Sequence, residues 1–113
     1  MTSNLKLLVS VAAALAACSM SLPARAVDAD AAAALAKKSN CMKCHSVAAK
    51  KEGPSFKETA AKYKGKADAE AKLVTHLTTN PKIKIDGKEE EHDNLKTKND
   101  ADVRNVVQWI LSQ

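Results

Sequence analysis

Two cysteines and a histidine in one short run, Cys41-Met42-Lys43-Cys44-His45, are the residues whose types and spacing indicate chemistry. The C-x-x-C-H pattern attaches c-type haem: each cysteine sulfur bonds to a haem vinyl group, and the histidine is the axial ligand on that side of the iron. A redox dithiol would need a βαβ context, and a zinc site would need a second ligand pair. The sequence contains neither, so the motif predicts one covalent haem c held by Cys41, Cys44 and His45.

The first 26 residues have the pattern of a secretion signal. An apolar run over 7–17 is followed by Ala24-Arg25-Ala26, a cleavage site of the small-x-small type. An alternative is a lipoprotein leader of residues 1–17, after which Cys18 would be lipidated and become the N-terminus. Cleavage after Ala26 is preferred, and membrane attachment is expected only if Cys18 carries lipid. Both alternatives predict export to the periplasm.

The remaining segment, 27–113, is predicted to be a single domain of 87 residues. Its sixteen basic and thirteen acidic residues give a net charge of +3, and it contains only three aromatic residues. This balance, without a basic arm, argues against nucleic-acid binding. So short a chain has difficulty building a sufficient core alone. A covalently held haem would supply the missing apolar volume, so the apo-protein is expected to fold poorly.

Helices are predicted on both sides of the haem motif. Asp28 or Asp30 can cap an alanine-rich helix that runs toward Cys41. After the motif, shorter helices are predicted over 57–64 and 68–78, the first ending before a glycine and the second before Asn-Pro. These helices must position the motif.

The last helix has the clearest pattern. Asn99 caps it, and apolar residues then recur at the spacing of one helix face: Val103, Val106, Val107, Ile110 and Leu111. Residues 82–98 show no sustained helical period, only a brief alternation in 82–85 and a turn signal at Asp86-Gly87. The predicted fold is all-α with one long loop.

Taken together, the segment resembles the small class I bacterial monohaem cytochromes c of the c551/c552 type. The likeness rests on a helix entering the C-x-x-C-H run, on Gly53-Pro54 after it, and on the C-terminal helix from Asp100 to Leu111. The resemblance implies that the first and last helices cross and that the haem is wedged among the helices. We further expect the Pro54 carbonyl to accept a hydrogen bond from His45, since a proximal histidine normally has such a partner.

The chain departs from this family at the distal ligand, which in relatives is a methionine in the loop before the last helix. Here the methionines are Met1, Met20 and Met42, and none follows the haem motif. The family's ligand position falls on His92, so we expect His45 and His92 to ligate the iron together. His76 is the other candidate, but it is expected at the surface. A five-coordinate iron is the remaining alternative.

The acidic neighbours of His92 suggest a further property. Five acids surround it in sequence and should favour its protonated form: Asp86, Glu89, Glu90, Glu91 and Asp93.

The predicted function is that of a periplasmic one-electron carrier, because two axial imidazoles give a low-spin iron with no vacant position. Its reduction potential is expected to be lower than that of His/Met relatives. Five lysines flank the motif, and they would form either a docking face for an acidic redox partner or a merely solvated surface: Lys37, Lys38, Lys43, Lys50 and Lys51. We expect a monomer and no enzymatic activity. The alternative is a haem-based protein that binds or senses a small ligand, with His92 absent from the iron or displaceable.

Overall fold

A computed structural model describes residues 26–113 of the chain. The predicted leader, including the alternative lipidation at Cys18, falls outside the described residues. Within 26–113, none of the helices combines the length and the apolar character that crossing a membrane would need.

Four α-helices dominate the described part of the chain, in agreement with the predicted helical fold. They are α1 (Ala29–Lys38), α2 (Phe56–Tyr63), α3 (Ala69–Thr78) and α4 (Asp100–Leu111). The haem motif forms a short 3-10 helix, Cys41–Lys43, just after α1. All four segments lie close to where sequence periodicity predicted them.

Helices α1 and α4 pack against each other at the centre of the core. The α1 side of this contact is formed by Ala32 and Ala36, both fully buried, and such small side chains allow close approach. The buried residues of α4 are larger, namely Val103, Val106, Val107, Trp109 and Ile110. Helices α2 and α3 also pack on α4, so the last helix is the element that the others share.

Side-chain hydrogen bonds begin both long helices as predicted. The Asp28 carboxylate accepts from the Ala31 N–H (3.0 Å), and the Asn99 side chain accepts from the Ala101 N–H (2.9 Å). The Asn105 side chain then ties the two helices together. It accepts from the backbone N–H of Asp28 (2.9 Å) and donates to the carbonyl of Asp28 (2.8 Å).

A reciprocal cap begins α2. The Ser55 hydroxyl accepts from the Glu58 N–H (3.1 Å), and the Glu58 carboxylate accepts from the Ser55 N–H (2.7 Å). These bonds to Ser55 hold the pKa of Glu58 below its usual range. The cap fixes the start of the helix at Phe56, whose buried ring meets the edge of Trp109 with centroids 5.4 Å apart.

The segment predicted as one long loop contains an antiparallel hairpin, and this is where the structure departs from the prediction. Strand β1 (Lys82–Ile85) pairs with β2 (Lys88–Glu91). Asp86 and Gly87 make the turn with φ of +51° and +80°, which is the left-handed geometry of tight hairpin turns.

The hairpin gives a weak sequence signal because it is nearly all solvent-exposed. Only Ile83 and Ile85 are partly buried, whereas every residue of β2 is exposed. Alternation of apolar and polar residues predicts a strand only when one face is apolar over several residues. Cross-strand charge pairing, such as Lys82 with Glu89 (2.8 Å), supplements the backbone bonds.

A buried serine joins the end of α1 to the chain that enters α4. Ser39 is 1% exposed, and its hydroxyl accepts from the backbone N–H of Lys96 (2.8 Å). Replacing Ser39 with alanine would leave that N–H without its acceptor. We therefore expect Ser39→Ala to lower the free energy of unfolding by about 1–3 kcal/mol in urea titrations followed by circular dichroism.

Ser112→Ala is the matched control, because Ser112 is exposed at the C-terminal end of α4. It should change the free energy of unfolding by less than about 0.5 kcal/mol. Equal effects of the two substitutions would show that the Ser39 bond does not stabilise the fold.

Candidate functional site

The haem motif folds into a tight turn that brings its three functional residues to one place. Asn40 enters the turn with φ of +62°, which redirects the chain after α1. The Cys41 carbonyl then accepts from the N–H groups of Cys44 (3.3 Å) and His45 (2.9 Å). These hydrogen bonds place Cys41, Cys44 and His45 on one turn.

Both thiols are free and differ in their surroundings. Burial raises the pKa of Cys41. The Cys44 thiol donates to the Glu52 carboxylate (3.3 Å), and this hydrogen bond raises the pKa of Cys44.

The His45 ring is oriented by the loop that follows the motif. Its Nδ1–H donates to the Pro54 carbonyl (2.6 Å), which is the hydrogen bond expected from the sequence. Gly53 lies against the face of the ring: a Cβ at this position would lie 2.5 Å from the His45 Cε1 atom. Phe56 also stacks on the ring with centroids 5.5 Å apart. These contacts leave Nε2 of His45 as the nitrogen available to a metal.

His92 lies directly after β2, and both its backbone N–H and its backbone carbonyl are hydrogen-bonded. Its N–H donates to the Pro81 carbonyl (2.8 Å), and its carbonyl accepts from the Asn80 side chain (3.1 Å). The Asn94 side chain accepts from the Asn80 N–H (2.8 Å) and donates to the Thr78 carbonyl (3.1 Å). The two asparagines therefore join the end of α3 to the segment that carries His92.

The imidazoles of His45 and His92 lie across a narrow gap. Their ring centroids are 6.1 Å apart and their planes are inclined by 51°. The Nδ1 atom of His92 is buried and has no hydrogen-bond partner. An imidazole in this state is unusual, because buried polar atoms are nearly always paired.

His76 is also part of this cluster, and the expectation that it lies exposed at the surface was wrong. The residue is half-buried, and its ring centroid is 4.4 Å from that of His92. The sequence contained a signal for this position. His76 lies three residues after Leu73 on α3 and next to Leu77, both buried, so it borders the apolar face of that helix.

Asp93 acts on His92 in the expected direction, but the net shift in the pKa of His92 is opposite to the one expected. Burial lowers the pKa of His92, and the nearby His45 lowers it further, while Asp93 only partly opposes this. Burial, together with His92 and His45, likewise lowers the pKa of His76. The acidic side chains of β2 point into solvent, where their field is screened.

These residues fit the haem that the C-x-x-C-H motif predicts. Two thiols and one imidazole are fixed by a single turn, the glycine leaves room for that imidazole, and a second imidazole faces it at 6.1 Å. The lowered pKa of His92 favours the neutral form, which is the form that binds a metal. The donor set is therefore suitable for an iron with two axial nitrogen ligands.

Comparison with known proteins is consistent with this geometry. The family model described as "Cytochrome c" matches residues 29–113. Cytochrome c2 of Rubrivivax gelatinosus is 40% identical over 80 residues, which are 70% of this chain and 93% of that protein. Cytochrome c-552 of Nitrosomonas europaea is 38% identical over 84 residues, covering 74% and 80% of the two chains.

Solved structures agree with the sequence relatives. The class 1 cytochrome MtoD from Sideroxydans lithotrophicus ES-1 superimposes with a TM-score of 0.74 at 55% identity, over 77% of this chain and 97% of MtoD. Wild-type Nitrosomonas europaea cytochrome c552 gives a TM-score of 0.56 at 35% identity, over 71% and 96% of the two chains. The chain therefore belongs to the cytochrome c family, whose members carry one covalent haem c and act as electron carriers.

Proposed function

We propose that this protein is a periplasmic one-electron carrier whose haem c is attached through Cys41 and Cys44 and ligated by His45 and His92. The observation that carries the proposal is the 6.1 Å separation of the two imidazole centroids. A metal–imidazole bond is about 2 Å long, and roughly 1 Å separates the ring nitrogen from the ring centre. Two imidazoles on opposite sides of one iron therefore have centres about 6 Å apart.

The sequence supports the same ligand pair by elimination. The sixth ligand in class I relatives is commonly a methionine, and the only methionine in the described part of the chain is Met42. Met42 lies between the two cysteines of the motif, on the side of His45. His92 is then the side chain that faces His45 from the opposite side of the gap.

This ligand set determines the redox properties that we propose. When bound, the haem iron supplies the one-electron couple. Ligation by two imidazoles would leave no open position for substrate and would limit the geometric change between oxidation states. Thioether ligation raises the potential of haem iron, so its replacement by imidazole should give a lower potential than in His/Met relatives. Haem-based ligand sensing is less favoured, because it needs a His92 that can be displaced. Hydrogen bonds to the N–H and the carbonyl of His92 fix its backbone.

The central test of this assignment is the pair of substitutions His92→Ala and His92→Met. The alanine variant should convert the ferric iron to a high-spin or mixed-spin state that binds added imidazole. The methionine variant should restore a His/Met pair and raise the reduction potential. Absorption spectroscopy and redox potentiometry measure both effects.

Glu91→Gln is the matched control, since Glu91 precedes His92 and is fully exposed. It should leave the spin state unchanged. A native low-spin spectrum in His92→Ala would exclude His92 as the distal ligand.

Lysines around the attachment site provide the proposed docking face for an acidic partner. All five are exposed, namely Lys37, Lys38, Lys43, Lys50 and Lys51. Lys51 is additionally fixed by donating to the Met42 carbonyl (2.7 Å), which holds its charge beside the motif. A positive field near the haem edge would accelerate encounter with an anionic partner.

Charge reversal tests this face with hexacyanoferrate(III) as the anionic oxidant. Lys50→Glu should slow oxidation of the ferrous protein several-fold at low ionic strength, and the difference should vanish near 1 M salt, where the Debye length is about 3 Å. Lys64→Glu, at the exposed end of α2, is the control of equal charge change. Equal rates for the two variants would contradict a docking face at the motif.

Export and monomeric state complete the proposal and rest on the leader sequence. The mature protein should begin at Val27 and appear in periplasmic extract without detergent. N-terminal sequencing with intact mass measurement tests this, and size-exclusion chromatography should give a monomer. A lipidated Cys18 at the N-terminus would show that the leader is a lipoprotein signal.

A further inference from the structure

The distal side of the haem site contains two imidazoles rather than one. His76 on α3 packs against His92 with ring centroids 4.4 Å apart and planes inclined by 56°. His92 in turn faces His45 at 6.1 Å. His92 therefore lies close to both His45 and His76.

The His92 ring lacks the hydrogen bond that a ligating histidine normally makes through its second nitrogen. A ligating histidine almost always donates its second ring N–H to an acceptor, and this bond sets the tautomer and the orientation of the ring. His45 meets the requirement through the Pro54 carbonyl (2.6 Å). The buried Nδ1 of His92 makes no hydrogen bond of acceptable geometry, although the N–H and C=O of the same residue are both bonded. The Asp93 backbone lies close enough to the ring to raise its pKa, but it does not form such a bond.

His76 is well suited to supply that partner. A neutral imidazole carries one acceptor nitrogen, and rings with centroids 4.4 Å apart are close enough for that nitrogen to meet the His92 Nδ1. Leu73 and Leu77, each 7% exposed, anchor the same stretch of α3 in the core. The acceptor would therefore be presented from a rigid helix and not from a mobile loop.

We propose that His76 is a positioning residue for the distal ligand, with its imidazole accepting the Nδ1–H of His92. The inference rests on the proposed ligation by His92, whose Nε2 is then the nitrogen directed to the iron. The hydrogen bond fixes the rotation of the His92 ring and increases its donor strength. The two axial imidazoles thus receive different partners, a backbone carbonyl on one side and a side chain on the other.

The experiment compares three variants of the haem-loaded protein. His76→Phe retains an aromatic ring but removes the acceptor, whereas His76→Gln retains an acceptor on a flexible side chain. Thr75→Ala changes the neighbouring exposed position of α3 and is the control. The readouts are the g-values of the ferric haem by electron paramagnetic resonance and the affinity of the ferric protein for cyanide, which displaces the distal ligand.

We expect His76→Phe to shift the g-values and to increase the apparent cyanide affinity about 10–100-fold, the usual effect of removing the partner of a metal-bound histidine. His76→Gln should recover most of the wild-type affinity, and Thr75→Ala should match the wild type. His76→Leu, a smaller apolar replacement, should behave as His76→Phe does and replaces it if the larger ring prevents folding.

Three outcomes overturn the proposal and can be told apart. Wild-type g-values and cyanide affinity in both apolar variants, together with a high-spin His92→Ala, would show that His92 is the ligand but that His76 does not position it. A native low-spin spectrum in His92→Ala would show that His92 is not a ligand of the iron. The proposed role of His76 would then fail as well. An increase in cyanide affinity in His76→Gln as large as that in His76→Phe would also contradict the hydrogen bond. The acceptor on the glutamine side chain would then have no effect.

Discussion

The proposed haem site depends on one constraint, which is that two imidazoles 6.1 Å apart must both reach a single iron. They reach the site from distant parts of the sequence. His45 is placed by the turn of the haem motif and by the Gly53-Pro54 loop. His92 is placed by the end of the hairpin and by the Asn80 side chain. The segment between His45 and His92 connects the two sides of the site.

A continuous line of packed rings connects the site to the core. Phe56 stacks on His45 at 5.5 Å and meets the edge of Trp109 at 5.4 Å. Trp109 belongs to α4, which also contacts the other three helices. The small alanine face of α1 contributes little volume, so the covalent haem is the natural completion of this core. The position of the proximal ligand and the stability of the fold are therefore physically coupled.

Much of this arrangement could be predicted from the sequence, because it depends on residues that are close together in the chain. The C-x-x-C-H turn, the Pro54 acceptor and the apolar stripe of α4 each depend on fixed spacings or on a known requirement of a ligand. The absence of a methionine after the motif directed attention to His92. These features need little tertiary information.

The features that were missed depend on tertiary contacts. Strand β2 has no buried residue, so no alternation revealed the hairpin. His76 was assigned to the surface because only the approach of the His92 segment to the end of α3 buries it, through bonds such as Leu95 N–H to the Leu77 carbonyl (3.0 Å). The same burial reversed the expected shift in the pKa of His92, since desolvation outweighs nearby acids that lie in solvent.

The proposed His45–His92 pair is tested most directly by absorption and near-infrared magnetic circular dichroism of the wild-type ferric and ferrous protein. The account predicts low-spin, six-coordinate iron in both states, with the charge-transfer band of two imidazole nitrogens in the ferric protein. A high-spin ferric spectrum would mean that the distal position is open. A band at the energy of imidazole–amine ligation would mean that a lysine occupies the position assigned to His92. Either result would contradict the account.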